Sequence, residues 1–263
     1  MIYITGDCHA NFKRFTKKRR KELPFELTEN DYVIVTGDFG LLWAKDKEFE
    51  YNLEWLSGLP FKILWVQGNH ENYDMIAEYP LEQWNGGSVR HIAKDKIILL
   101  ERGQVFNIEG NSFFTFGGAS SHDVQGGILD KDDIDYDENR RNAIKSGLPY
   151  RVKHYSWWEQ ELPSEEEMQT GRDNLAKVDY KVDYVITHCL SSSMQYKLEL
   201  IYGGYYHQFL YKSDILTGYF DEIESKLQYK QWFCGHYHMD MLLDNQHWIF
   251  YNNILPLEEL ITW

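Results

Sequence analysis

Short β-rich runs alternate with amphipathic ones along the first third of the chain. Met1–Thr5, Asp31–Thr36 and Phe61–Val66 predict strands, separated by a basic helix near Asn11–Lys21 and a second helix near Asp46–Ser57. This is a βαβαβ pattern, and right-handed crossovers make its strands parallel neighbours whose carboxyl ends open onto one sheet edge. A second set, Lys96–Leu100, Gln104–Ile108 and Ser112–Phe116, is joined by short polar or glycine-bearing links and predicts antiparallel pairing. Periodicity then fades. Residues from about Ala119 to Tyr155 read as a long loop region with room for one helix.

Ser164 and Glu167, just after Pro163, form a capping-box signature for a helix running towards Lys177. A strand at Asp183–Thr187, a tyrosine-crowded stretch at Tyr196–Tyr211, a helix near Asp214–Lys226 and a strand at Gln231–Cys234 follow. Met239–Leu243 and His247–Tyr251 predict a closing hairpin around Asp244-Asn245-Gln246. No repeat, linker or low-complexity tract interrupts the chain. One domain spanning 1–263 is expected, elaborated at about 119–180 and carrying a tyrosine-rich segment at about 196–212.

Composition narrows the class. The 263 residues are 43% hydrophobic and 16% aromatic, enough for a sizeable packed core. No stretch approaches the roughly 20 apolar residues of a membrane span, and Met1–Thr5 reads as a strand and not a signal peptide. The three cysteines, Cys8, Cys189 and Cys234, form no CxxC pair and point to neither a disulfide framework nor a cysteine zinc site. A cytoplasmic protein that does not engage membranes is expected. The pattern leaves the oligomeric state open.

Five clusters fall just past predicted strands: Gly6-Asp7-Cys8-His9, Gly37-Asp38, Gly68-Asn69-His70-Glu71, Thr187-His188 and Gly235-His236-Tyr237-His238. In an extended segment residues two apart point the same way, so Asp7 and His9 can share one ion while Cys8 faces elsewhere. Glycine before the ligand lets the chain turn where a β-carbon would obstruct approach to an ion. Taken singly, each cluster has a plainer explanation: Asp-x-His as a helix cap, Asn-His as a turn, His188 as a hydrogen-bonded core residue. Five in order at strand ends argue for one site. Oxygen and imidazole donors without thiolate favour borderline divalent ions, manganese first, with iron, zinc, cobalt or nickel as alternatives.

The ordered set DxH, GD, GNH[ED], a later His and GHxH resembles the calcineurin-like metallophosphoesterase superfamily, over Asp7 to His238. The resemblance implies a four-layer α/β/β/α sandwich of two mixed sheets flanked by helices. It also implies two divalent metal ions: Asp7, His9 and His238 on the first, Asn69, His188 and His236 on the second, and Asp38 bridging. His70 is then the catalytic residue that protonates the leaving group or stabilises charge. The implied activity is hydrolysis of phosphomonoesters or phosphodiesters by a hydroxide activated between two cations. Nucleotides or other small phosphorylated compounds are favoured over phosphoproteins. The alternatives are a non-catalytic protein-binding scaffold of the retromer type, and a nuclease acting on short single strands. A formal net charge of −14 disfavours extended duplexes.

Many relatives continue the second motif with an acidic residue and an arginine, whereas here it reads Gly37-Asp38-Phe39-Gly40-Leu41. Glu71, Asp74 or a residue of the long loop is the expected substitute for the missing acid. The central segment, with Gly117-Gly118-Ala119, Ser120-Ser121-His122-Asp123 and Trp157-Trp158, resembles a bacterial and phage branch. From it His122, Arg140 and Arg141 are candidate phosphate contacts, set against a solvated-loop alternative. The tyrosines of 196–211 are expected in packing or an interface, with base stacking as the alternative. Trp43, Trp55 and Trp65 are expected in the core.

Overall fold

A computed structural model describes residues 1–202 and 212–261. The strands are β1 (Ile2–Thr5), β2 (Tyr32–Val35), β3 (Lys62–Trp65), β4 (Glu82–Trp84), β5 (Gly87–Ala93), β6 (Ile97–Leu100), β7 (Gln104–Ile108), β8 (Asn111–Phe116), β9 (Ile128–Leu129), β10 (Arg151–Val152), β11 (Tyr184–Thr187), β12 (Gln231–Cys234), β13 (Met241–Leu242), β14 (His247–Ile249) and β15 (Leu255–Pro256). The helices are α1 (Lys17–Arg20), α2 (Lys47–Ser57), α3 (Tyr73–Ala77), α4 (Tyr136–Ser146), α5 (Glu165–Lys177), α6 (Ser192–Tyr202) and α7 (Ile215–Glu224).

Two large mixed sheets form, in the orders β15-β1-β2-β3-β6-β5-β4 and β13-β14-β12-β11-β8-β7. As expected, β1, β2 and β3 are parallel, and β13 with β14 closes as an antiparallel hairpin. Strand alternation sorts the core into layers. Ile2, Ile4, Ile34, Leu64 and Ile98 of the first sheet meet Phe106, Phe113, Ile186 and Phe233 of the second. On the opposite face of the first sheet, Tyr3, Val33, Ile63 and Trp65 pack with Leu56 of α2 and Met75 of α3. On the opposite face of the second, Phe114, Val185 and Trp232 pack with Leu175 of α5 and Phe220 of α7. The result is helix, sheet, sheet, helix.

The expected antiparallel trio is instead divided between sheets. β6 pairs in parallel with β3, and all four of its residues are buried, as a strand covered on both faces requires. β7 and β8 form a hairpin in the other sheet. A β4–β5 hairpin was not foreseen, although Asn85-Gly86, at φ 48° and 98°, is a strong turn signal. The basic helix is broken into a 3-10 turn, Phe12–Phe15, and the short α1, because burying Phe12 and Phe15 together suits a three-residue repeat.

The long segment after β8 contains more order than a loop. It holds α4 and a parallel β9–β10 pair, Arg151 opposite Ile128. The capping box at α5 is present in both directions. Trp65 is buried, but Trp43 is 37% exposed and lies edge-on against Trp158, and Trp55 is only partly buried. The three cysteines are free and buried. Tyr196 is exposed on α6; the side chain of Tyr202 and all of Tyr205, Tyr206 and Tyr211 lie outside the described residues. Among the described residues, no helix is long and apolar enough to cross a membrane.

Candidate metal centre

The carboxyl ends of β1, β2 and β3 in one sheet and of β11 and β12 in the other deliver the five clusters to a common point. Asp7, Asp38, Asn69, His188 and His236 are buried, His9 and His70 are partly buried and His238 is exposed. Four of these side chains sit on left-handed backbone: His9 at φ 46°, Asp38 at 46°, His236 at 68° and His238 at 51°. Such conformations cost energy in non-glycine residues and persist where the surroundings impose them, as functional sites do.

The glycines make room for ligands from neighbouring loops. A β-carbon on Gly37 would stand 2.1 Å from Nδ1 of His188, one on Gly68 2.0 Å from Oδ1 of Asp38, and one on Gly235 2.1 Å from Oδ1 of Asp7. The obstruction predicted against an ion thus falls on the side chains themselves. Backbone donors then fix the carboxylates: His70 N–H donates to Asp38 Oδ1 at 2.7 Å, and His236 N–H to Asp7 Oδ1 at 3.0 Å.

Three groups bring their ligand atoms within 4.8 Å of one another: Asp7, His9 and His238; His9, Asp38 and His70; and Asp7, Asp38 and His188. Nε2 of His9 and Nε2 of His238 approach to 2.9 Å, and His238 Nε2 lies 3.2 Å from Asp7 Oδ2. Without an ion, the nitrogen pair needs a proton between them; with one, both lone pairs converge on it. His188 Nε2 is 3.2 Å from Asn69 Oδ1 and 3.3 Å from Asp38 Oδ2. Its Nδ1 faces the Thr36 carbonyl at 2.8 Å, which can only accept, so Nδ1 carries the hydrogen and Nε2 is the ligating atom. His236 stacks edge-on with His188 at 5.0 Å between centroids. Donors of this kind fit divalent cations, and His236 borders the set through His188 without entering any of the three groups.

Electrostatics agree with that donor set. Burial alone raises Asp7, but His188 and hydrogen bonds from His238 and His9 outweigh it and lower the carboxyl to about 2. Asp38 is likewise held below the usual carboxylate range, burial being overcome by His188, His70 and His9. Burial lowers His188, yet Asp38 and Asp7 prevail and raise it to about 9. His236 is pushed well down by burial and by His188.

His70 stands 5.0 Å from the ring of His9. The acid sought near it is neither Glu71 nor Asp74. Glu71 is fully buried and accepts from Phe39 N–H at 2.8 Å, bracing the Asp38 loop. Asp74 accepts from Trp158 Nε1 at 2.7 Å and pairs with His154. Beside His70 lies Arg151 instead, with Nη2 3.3 Å from Nδ1 and 3.4 Å from Nε2, and Arg151 is bound to Asp123.

His122 reaches the rim, its ring 5.4 Å from that of His236. Arg140 is exposed and donates to Tyr150 at 3.2 Å, and Arg141 is exposed on α4. The segment therefore contributes an arginine, but a different one from those expected. No local signal distinguishes Arg151, because a two-residue strand pair places it.

The sequence profile of the family described as calcineurin-like phosphoesterase matches residues 1–240. This chain belongs to the calcineurin-like phosphoesterase family. It is therefore a phosphoester hydrolase of a dinuclear metal-dependent family, and its Asp/His clusters are able to bind metal. No curated protein matches by sequence. Among solved structures, a phosphopantetheinyl hydrolase from Mycobacterium tuberculosis is similar over 95% of this chain and 89% of its own, at 16% identity and a TM-score of 0.45.

Proposed function

We propose that the protein hydrolyses a small phosphorylated compound, a nucleotide-like or other low-molecular-weight phosphoester, with manganese as the first-choice metal. Asp7, His9 and His238 would hold one cation, Asn69, His188 and His236 the other, and Asp38 would touch both. When bound, the pair supplies Lewis acidity to the phosphoryl oxygens and to the attacking water.

The chain's own residues do the rest. Asp38, on the loop after β2, is aimed by the His70 N–H from the loop after β3, so the loop that presents the catalytic imidazole also fixes the shared carboxylate. His70, partly buried beside His9, donates a proton to the leaving oxygen; burial first, then Arg151 and His9, outweigh Asp38 and hold it below the ordinary imidazole value, which makes it the stronger acid when protonated. Burial of Asp7, Asp38 and His188 keeps water from competing for the ligand atoms. The three free, buried thiols accord with a reducing cytoplasm.

One observation carries this reading: Asp38 belongs to two of the three ligand groups, and joins residues from both sheets. The experiment is turnover of chromogenic monoesters and diesters with added Mn²⁺ by the wild type, Asp38→Asn and His70→Ala. Turnover without metal, or undiminished in Asp38→Asn, would refute it.

A further inference from the structure

We infer that Arg151, braced by Asp123, is a substrate-contacting residue whose guanidinium receives outer oxygens of the phosphoryl group beside His70; this rests on the phosphoesterase reading above. The residue is built into place. Its backbone N–H donates to Gly127 O at 3.1 Å within the β9–β10 pair, and its side chain is only 14% exposed. Nε donates to Asp123 Oδ1 at 2.9 Å, Nη2 to Asp123 Oδ2, and Nη1 to the Ser156 carbonyl at 3.4 Å. A guanidinium has five N–H groups in a rigid plane, so this bracing leaves donors on the Nη1/Nη2 edge uncommitted.

The contact with His70 shows where that edge faces. Nη2 is almost equidistant from the two ring nitrogens, at 3.3 and 3.4 Å. Within the ring plane such a point is filled by Cε1–H on one side and by the rest of the ring on the other. Nη2 therefore lies over the ring face, and it occupies neither nitrogen's in-plane direction. The imidazole keeps a nitrogen for the leaving group while a planar cation stands next to it. A guanidinium matches phosphoryl oxygens in geometry and charge, and Asp123 fixes its orientation and balances it before substrate arrives. An open depression of about 540 Å³, lined by Asp123, Leu148, Pro149, Tyr150, Arg151 and Ser156, lies on the solvent side of the Arg151–Asp123 pair.

The probe is inorganic phosphate, titrated calorimetrically into manganese-loaded full-length protein, with bound manganese counted by mass spectrometry and KM and kcat measured in parallel. Arg151→Ala is expected to weaken phosphate binding at least ten-fold and raise KM, with manganese content unchanged. Arg151→Lys, which keeps the charge but loses the fork, should recover part of the loss. Phosphate affinity and KM within two-fold of wild type in manganese-loaded Arg151→Ala overturn the inference. So does loss of manganese along with phosphate, which assigns Arg151 to holding the site together. Phosphate binding that depends on Arg151 in a protein without phosphoester turnover would support this inference while sinking the hydrolase reading.

Discussion

Loading the centre with metal has to expel a proton from His188, and the geometry says which one and over what pH range. In the metal-free site the imidazole stands between two carboxylates, with Nε2 3.3 Å from Asp38 Oδ2 and Nδ1 4.0 Å from Asp7 Oδ1. Burial lowers it, but the carboxylates win and raise it from 6.5 to about 9. Since Nδ1–H is committed to the Thr36 carbonyl, the labile proton sits on Nε2, where a cation must bind. Below about pH 9 each cation that takes Nε2 displaces one proton, so apparent affinity improves roughly ten-fold per pH unit and flattens above that value.

The same shift governs the metal-free protein. A folded value of about 9 against 6.5 contributes stability that is fully present below pH 6.5 and lost as pH rises through 9. The difference of about 2.5 units, at about 1.4 kcal/mol each, is worth roughly 3–4 kcal/mol. Calorimetric titration of Mn²⁺ into chelator-treated protein, in buffers of different ionisation enthalpy between pH 7 and 8, counts the protons. At least one should leave at pH 7. Affinity independent of pH over that range, with no proton released, would refute the reasoning.

Three further outcomes follow from the site and its surroundings. His70→Ala should keep its manganese and lose about 10²- to 10⁴-fold in kcat, most for poor leaving groups; equal rates across an aryl phosphate series relative to wild type would contradict the proton-donor role. Gly37→Ala should lose metal, because its β-carbon would lie 2.1 Å from His188 Nδ1 at φ 105°, adding strain of about 1–3 kcal/mol; unchanged metal content and Tm would show that the glycine is dispensable. Glu161, buried and raised to about 8 chiefly by desolvation, contributes stability below pH 4.5 that is lost as pH rises through 8. Glu161→Gln should therefore melt higher than wild type above pH 8, and an equal or lower Tm there would contradict it.

The parts legible in sequence were those with local chemistry. Gly-Asp, Gly-Asn-His and Gly-His-x-His end apolar strands, and strand ends of parallel sheets converge, so Asp7, Asp38, Asn69, His188 and His236 could be grouped before their positions were known. The division of Lys96–Phe116 between two sheets was not legible from link lengths. Its signal was the continuous burial of Ile97–Leu100, which an apolar run alone does not separate from an edge strand. Arg151 was hidden for a different reason: His70 lies 81 residues away in sequence, and the β9–β10 pairing together with the Asp123 ion pair brings them together.

Crystals grown with manganese and measured at a wavelength where it scatters anomalously test the central claim most directly. Two peaks are predicted, one ringed by Asp7, His9 and His238 and the other by Asn69, His188 and His236, with Asp38 touching both. A map without peaks, or with peaks remote from Asp38, would contradict the account.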